Sequence, residues 1–117
     1  ARGGLWFGWS GQVGSREDED PEIVTRNGIS FATIDLEESE FARFLNGFSN
    51  GALWPTFHYF LETVNFSDED YAGYLEVNRR FAASLRPLLR DDDLLWVHDF
   101  HLIPLARALR EQGAQQP

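Results

Sequence analysis

The apolar positions of this chain change their period several times, and each change marks a new element. Ala1–Trp9 passes from Gly3-Gly4 into Leu5-Trp6-Phe7-Gly8-Trp9. An apolar run entered from a glycine turn predicts a short buried strand. Ser10–Thr25 holds Gly11, Gly14, Ser15 and the run Glu17-Asp18-Glu19-Asp20-Pro21, which reads as a solvated loop without a function of its own. Ile29–Leu36 alternates, with Ile29, Phe31 and Thr33 set against Ser30, Ala32 and Ile34, as a half-buried strand does. Glu38–Asn46 brings Phe41, Phe44 and Leu45 to helical spacing and stops near Gly47. Phe48–Phe60 is dense in aromatics, and Pro55 biases Trp54 away from helix, so short helical turns are expected there.

Ser67–Arg86 carries the clearest helical pattern. Ser67 and Asp70 stand at capping-box spacing, and Asp68, Glu69 and Asp70 suit the positive end of the helix dipole. Tyr71, Tyr74, Leu75, Phe81 and Leu85 form an apolar stripe that Pro87 should end. Asp91-Asp92-Asp93 predicts a turn. Leu94–Val97 is continuously apolar, the mark of a strand buried on both faces. Leu102–Gln112 reads as a helix with Pro104 in its first turn and Gly113 as its stop, followed by a loose tail, Gly113–Pro117. The order strand, strand, helix, helix, strand, helix predicts an α/β fold with a mostly parallel, partial Rossmann-like sheet and flanking helices. No repeat or linker divides the chain, so 1–117 reads as one unit.

Composition narrows the function classes. Ten Phe and four Trp in 117 residues must fill a core or line a pocket. The absence of Cys excludes disulfides, thiolate metal sites and a Cys nucleophile, and fits a cytoplasmic setting. Ten basic against 19 acidic residues give a net charge of −9, with no basic cluster, which argues against nucleic-acid and membrane partners.

The strongest chemical signal is His98-Asp99-Phe100-His101, where the predicted buried strand ends. Ligands of open α/β sheets bind beyond the carboxyl ends of strands. An aspartate there can accept hydrogen bonds from sugar hydroxyls, and a histidine can donate to a phosphate or exchange a proton. Capping of the strand and of the next helix is the competing role for these three side chains, and a metal site is disfavoured because no third imidazole or thiol stands near. His58 reads as a satisfied core histidine. Trp54 with Phe57, His58 and Tyr59 could stack on a sugar, although core packing suits Phe57 and Tyr59 better. Trp6–Gly14 is too sparse in glycine motifs to specify a phosphate loop.

Beyond this point the sequence resembles the trehalose-6-phosphate synthase family. The resemblance runs through Trp6-Phe7-Gly8-Trp9-Ser10-Gly11, Asn46–Asn50, Leu53-Trp54-Pro55-Thr56-Phe57-His58-Tyr59, Gly73–Asn78 and Asp92–Pro104, in order and over nearly the whole chain. It implies part of the N-terminal, acceptor-binding domain of a retaining GT-B glucosyltransferase. Such enzymes move glucose from a nucleotide sugar, usually UDP-glucose, to glucose 6-phosphate without a metal or other cofactor. Asp99 matches the aspartate that binds acceptor hydroxyls, and Trp54 a tryptophan beside the acceptor glucose. Trp9, in preference to Trp6, matches an apolar wall of that pocket. His98 and His101 would order Asp99, and no residue of this chain is expected to be catalytic. One position departs from the pattern. The family usually has a tyrosine nine positions before Trp54, in contact with the acceptor phosphate, and here that position is Leu45. A leucine cannot donate a hydrogen bond, so either the acceptor differs, as in relatives that glucosylate glycerol phosphate, or neighbours compensate. The donor-binding domain and the catalytic histidine are expected outside these 117 residues, so the isolated chain should not turn over substrate. A self-associating, non-catalytic module, pairing as a homodimer, is the alternative from a different class.

Overall fold

The computed structural model describes residues 3–14 and 20–117. Ala1, Arg2, Ser15 and most of the acidic run, Glu17 to Glu19, lie outside the described residues. Strand β1 spans Leu5–Val13, β2 Glu22–Arg26 and β3 Ile29–Leu36, in the sheet order β1-β3-β2. β1 and β3 run parallel, while β2 and β3 form an antiparallel hairpin. Helix α1 (Glu38–Phe41) continues without a break into a π-helical stretch, Ala42–Leu53, and then α2 (Trp54–Phe57). Helix α3 covers Asp68–Leu85 and α4 covers Leu105–Glu111. No helix among the described residues is long and apolar enough to cross a membrane.

The α/β expectation holds, and the helices pack on one face of the sheet. That face carries Ala32, Ile34 and Leu36, each at most 1% exposed, with Phe7 and Trp9 of β1 beside them. The buried face of β3 is therefore the even-numbered one, opposite to that of Ile29 and Phe31. Pairing with β1 decides this: in register, Phe7 lies beside Ala32 and Trp9 beside Ile34, while Trp6 meets Phe31 on the outer face. β1 is also longer and more open than a short buried strand, with Leu5 and Trp6 exposed. Its register with β3 shifts between Trp9 and Val13, where Gly11 adopts φ +86°.

Several further expectations need correction. Glu22–Arg26 is a strand, not loop, because Asn27 and Gly28 both take positive φ (52° and 79°) and close a hairpin with the twist its strands require. The aromatic stretch around Trp54 is one helical run instead of separate turns. Pro55 is tolerated near the start of α2 because the Gly51 carbonyl, which a residue with an N–H at 55 would serve in an α-helix, accepts from the Asn65 amide instead. Leu94–Val97 is extended but pairs with no strand among the described residues. Only Leu95 and Val97 reach the core, while Leu94 and Trp96 are about four-fifths exposed. The tail is held, too: Ala114 and Gln116 are buried, and Arg110 donates to the carbonyls of both.

Helix α3 follows its sequence signals. Ser67 accepts from the Asp70 amide at its N-terminus, and the α-helix ends before a 3-10 turn that contains Pro87. Its buried stripe is Tyr74, Val77, Asn78, Phe81, Ala82 and Leu85. α3 lies very close to the preceding helical run. A Cβ on Gly47 would collide with the Asp70 carboxyl group, and one on Gly73 would stand 2.5 Å from Arg43 Cβ. A side chain at Gly47 would have to displace the Asp70 carboxyl group, and one at Gly73 would push the helices apart because Arg43 Cβ is fixed to the backbone.

Candidate functional site

The turn at Asp91-Asp92 launches the extended segment, and Asp93 accepts from the Arg90 amide. The segment ends at Asp99, whose backbone has φ 73° and ψ 159°. That region belongs to glycine, and a side chain there stores about 1–3 kcal/mol of strain. The Asp99 carboxylate accepts from the Phe100 amide (2.8 Å) and caps a single 3-10 turn, Phe100–Leu102. The side chain is 59% exposed and so keeps acceptor capacity for a ligand.

His101 lies on the other side of this turn. Its ring stacks on Phe100 (4.1 Å between centroids) and meets Phe44 (6.1 Å), and Nδ1 stands 3.7 Å from Asp99 Oδ2. That distance is too long for a hydrogen bond. Burial holds the imidazole below its ordinary pKa of 6.5, against an upward pull from the Asp99 charge. His101 is therefore largely neutral at pH 7. Because the folded state resists the proton, its contribution to stability is complete above the unfolded value. It is lost as pH falls from there through the depressed folded value. The urea midpoint is expected to fall between about pH 7 and pH 5, and to fall less in His101→Gln. Parallel pH profiles for the two proteins would refute this assignment.

Trp54 reaches the same surface from the end of the long helical run. Its ring meets Phe100 at 5.8 Å and lies against His58 at 3.7 Å, and His58 Nδ1 is 2.8 Å from the Trp54 carbonyl oxygen. Phe57 meets Phe100 at 6.3 Å. A continuous path of rings, from Trp54 through Phe100 to His101, thus ends at the Asp99 carboxylate. Trp54 is 47% exposed, which leaves indole surface free. His58, Phe57 and Tyr59 are all exposed, contrary to the core packing expected of them. Here the chain leaves the helix through Tyr59, at φ +62°.

The other named residues stand apart from this path. His98 stacks on Trp96 (4.6 Å), one alternation out of phase with the core-facing Val97. Trp9 packs on Phe41 (5.4 Å) and donates to the Gln12 carbonyl; none of its described contacts reaches Trp54 or Asp99. Leu45 is half-buried against the core, next to the Phe44 that meets His101. A cleft of about 310 Å³ between α1 and α3, lined by Ser39, Glu40, Arg43, Ala72, Gly73 and Glu76, contains none of these residues. Among the described residues no three His, Asp or Glu side chains converge as metal ligands.

Phe100, Tyr74 and Asn78 were not singled out as site residues by sequence reasoning. Phe100 links Trp54 to Asp99. The Tyr74 hydroxyl donates to the Phe100 carbonyl (2.7 Å), and Asn78 Nδ2 donates to the His101 carbonyl (3.1 Å). An asparagine inside the apolar stripe of α3, one turn from a tyrosine, was the available signal.

Comparison with known proteins adds a second line of observation. A family model described as glycosyltransferase family 20 matches residues 1–116. A trehalose-6-phosphate synthase of Cronobacter sakazakii is 51% identical over 113 residues, 97% of this chain and 24% of that protein. One from Escherichia coli is 48% identical over the same share of both. Among solved structures, an α,α-trehalose-phosphate synthase (UDP-forming) from Burkholderia vietnamiensis superposes with a TM-score of 0.94 at 43% identity, covering 97% of this chain and 25% of that one. Its counterpart from Burkholderia xenovorans, solved in complex with glucose-6-phosphate, gives 0.93 at 45%, covering 98% and 25%. The chain thus spans about a quarter of the length of the relatives it matches. At these scores the fold is that of the corresponding part of a GT-B N-terminal domain.

Proposed function

Because this chain belongs to glycosyltransferase family 20, we propose that it forms the acceptor side of a retaining glucosyltransferase. In this reading glucose moves from UDP-glucose to glucose 6-phosphate, and the product is trehalose 6-phosphate. The observation that carries the reading is the ring path that joins an exposed indole to an exposed, strained carboxylate. Trp54 offers a flat apolar face to the C–H side of a pyranose, and Asp99 accepts from its hydroxyls. Support comes from the relatives' names and from two solved relatives, one bound to glucose-6-phosphate and one to UDP-2-fluoro glucose.

The chemistry asked of these residues is positioning. The bond between the anomeric carbon and the donor phosphate oxygen breaks while the acceptor oxygen bonds to the same carbon. The acceptor proton passes to the leaving phosphate on that face, so the configuration is retained. Holding the acceptor in line removes much of the entropic barrier. Arg43 and Arg80 are engaged with Glu69 and Glu40. A nucleotide-sugar donor fits a cytoplasmic enzyme.

Leu45 favours one specific alternative, an acceptor such as glycerol phosphate, since no hydroxyl stands at that position to meet a hexose phosphate. UDP release by the whole transferase carrying this chain, measured with each acceptor, tests both. Turnover with glucose 6-phosphate is expected, and Trp54→Ala should raise the KM for the acceptor about tenfold with the donor KM unchanged. Preference for glycerol phosphate selects the alternative, and no turnover with any phosphorylated acceptor overturns the reading.

A further inference from the structure

We propose that Tyr74 and Asn78 of α3 are positioning residues that hold the Asp99 carboxylate in its ligand-facing geometry; this rests on the acceptor-site reading of Asp99. Asp99 occupies backbone space that costs about 1–3 kcal/mol, so something outside the residue must keep it there. Its own contact with the Phe100 amide is local and would move with the turn. The contacts that fix the turn come from α3. Tyr74 Oη donates to the Phe100 carbonyl and Asn78 Nδ2 to the His101 carbonyl, at 2.7 and 3.1 Å. The two donors are four residues apart, hence on one helix face, and they serve two successive carbonyls. The two bonds anchor the Phe100–His101 and His101–Leu102 peptides, so the turn that follows Asp99, whose Leu102 amide also donates to the Asp99 carbonyl, is fixed to α3 and leaves Asp99 little room to relax.

The way these side chains are buried argues that they act as donors and not as filling. Tyr74 is 2% exposed and Asn78 0%. Burial raises the Tyr74 phenol to about 12, against a lowering pull from the Ile103 backbone, so the hydroxyl keeps its proton. Asn78 Oδ1 has no hydrogen-bond partner in the described structure. A buried amide with an orphaned oxygen is costly, and an apolar side chain of similar size would avoid that cost. What the amide supplies is the link from its Nδ2 to the Tyr74 and His101 carbonyls, which ties helix to turn. The segment Gly73–Asn78 thereby acquires two distinct roles. Gly73 admits the neighbouring helix, while Tyr74 and Asn78 grip the turn after Asp99.

Acceptor kinetics of the whole transferase, with glucose 6-phosphate as the probe, test this in Tyr74→Phe, Asn78→Leu, Asp99→Asn and the double variant Tyr74→Phe/Asp99→Asn. Tyr74→Phe keeps the ring that stacks on Phe44 and Phe48, and removes only the donor. Tyr74→Phe and Asn78→Leu are each expected to raise the acceptor KM about 3- to 10-fold at constant donor KM. In the Asp99→Asn background, Tyr74→Phe should add less than about twofold, because its effect passes through that carboxylate. A merely structural role predicts equal losses in both backgrounds, and that result overturns the proposal. So does an unchanged KM in Tyr74→Phe beside a raised KM in Asp99→Asn, which leaves the acceptor-site reading standing. If Asp99→Asn itself has no effect, the acceptor-site reading fails and the proposal with it. Should Asn78→Leu not accumulate as folded protein, Tyr74→Phe and its double variant decide alone.

Discussion

Asp99→Gly is expected to weaken acceptor binding by about 10- to 100-fold while leaving the fold as stable as before or slightly more so. Glycine enters φ 73°, ψ 159° freely and releases the strain of about 1–3 kcal/mol. Against that stand the lost hydrogen bond to the Phe100 amide, about 0.5–1.5 kcal/mol, and the larger entropy of an unfolded glycine, about 0.4–1 kcal/mol. Asp99→Ala lacks the hydrogen bond and keeps the strain, so it should be less stable than Asp99→Gly by about 1–2 kcal/mol. Urea unfolding of the two variants reads the strain directly, and acceptor titration reads the carboxylate. An alanine variant more stable than the glycine variant by about 0.4–1 kcal/mol would remove strain from the account. Undiminished acceptor affinity in either would remove Asp99 from the site.

The largest stability loss is expected at Phe81. Its side chain is 2% exposed and touches Phe7 of the sheet edge-on at 5.8 Å and Phe44 of the long helical run at 6.0 Å. Phe81→Ala deletes the piece that joins sheet and helices, and buried Phe→Ala changes cost about 3–5 kcal/mol. A domain of ordinary stability has only about 5–15 kcal/mol in hand, so the variant should unfold at much lower urea, with partial unfolding near 37 °C. A loss below about 1 kcal/mol would mean that the cavity collapses, and that Phe81 does not bridge the layers.

Local signals predicted local features well. Ser67, the stripe through Phe81 and Leu85, and Pro87 were enough for α3, because a cap, a period and a breaker are all short-range. The β2–β3 hairpin was equally available in Asn27-Gly28, whose paired positive φ values are the usual demand of a two-residue turn. The π-helical run could not be read that way. Its continuation into α2 is accommodated by the Asn65 amide, which reaches back to the Gly51 carbonyl, a tertiary contact that local propensity does not reveal. Leu94–Val97 shows the limit of hydrophobicity as a guide. Four apolar residues in a row suggested two buried faces, yet only Leu95 and Val97 are covered in this chain. The buried tail depends on Arg110, which no propensity of Gly113–Pro117 reveals.

The site was legible in part. Asp99 and His101 stood out because charged residues followed an apolar run, and Trp54 because an indole sat among other rings. Their convergence was not legible, since Phe100 joins them across more than forty positions of sequence. Nor was the difference between the two histidines, which follows from alternation in the extended segment and from the turn at Asp99. Tyr74 and Asn78 were hidden for a different reason. Within the helix they look like ordinary members of a stripe, and their donors find partners 26 and 23 residues away.

The mutual fit of Gly47 with Asp70 and of Gly73 with Arg43 has a mechanical consequence. Two helices that approach this closely at both glycines hold a short separation along that stretch. Trp54 stands at the end of one member, and the other donates to the turn that follows Asp99. The exposed indole and that turn are therefore placed by the same pair of closely packed helices, and a side chain larger than hydrogen at Gly73 would shift one relative to the other.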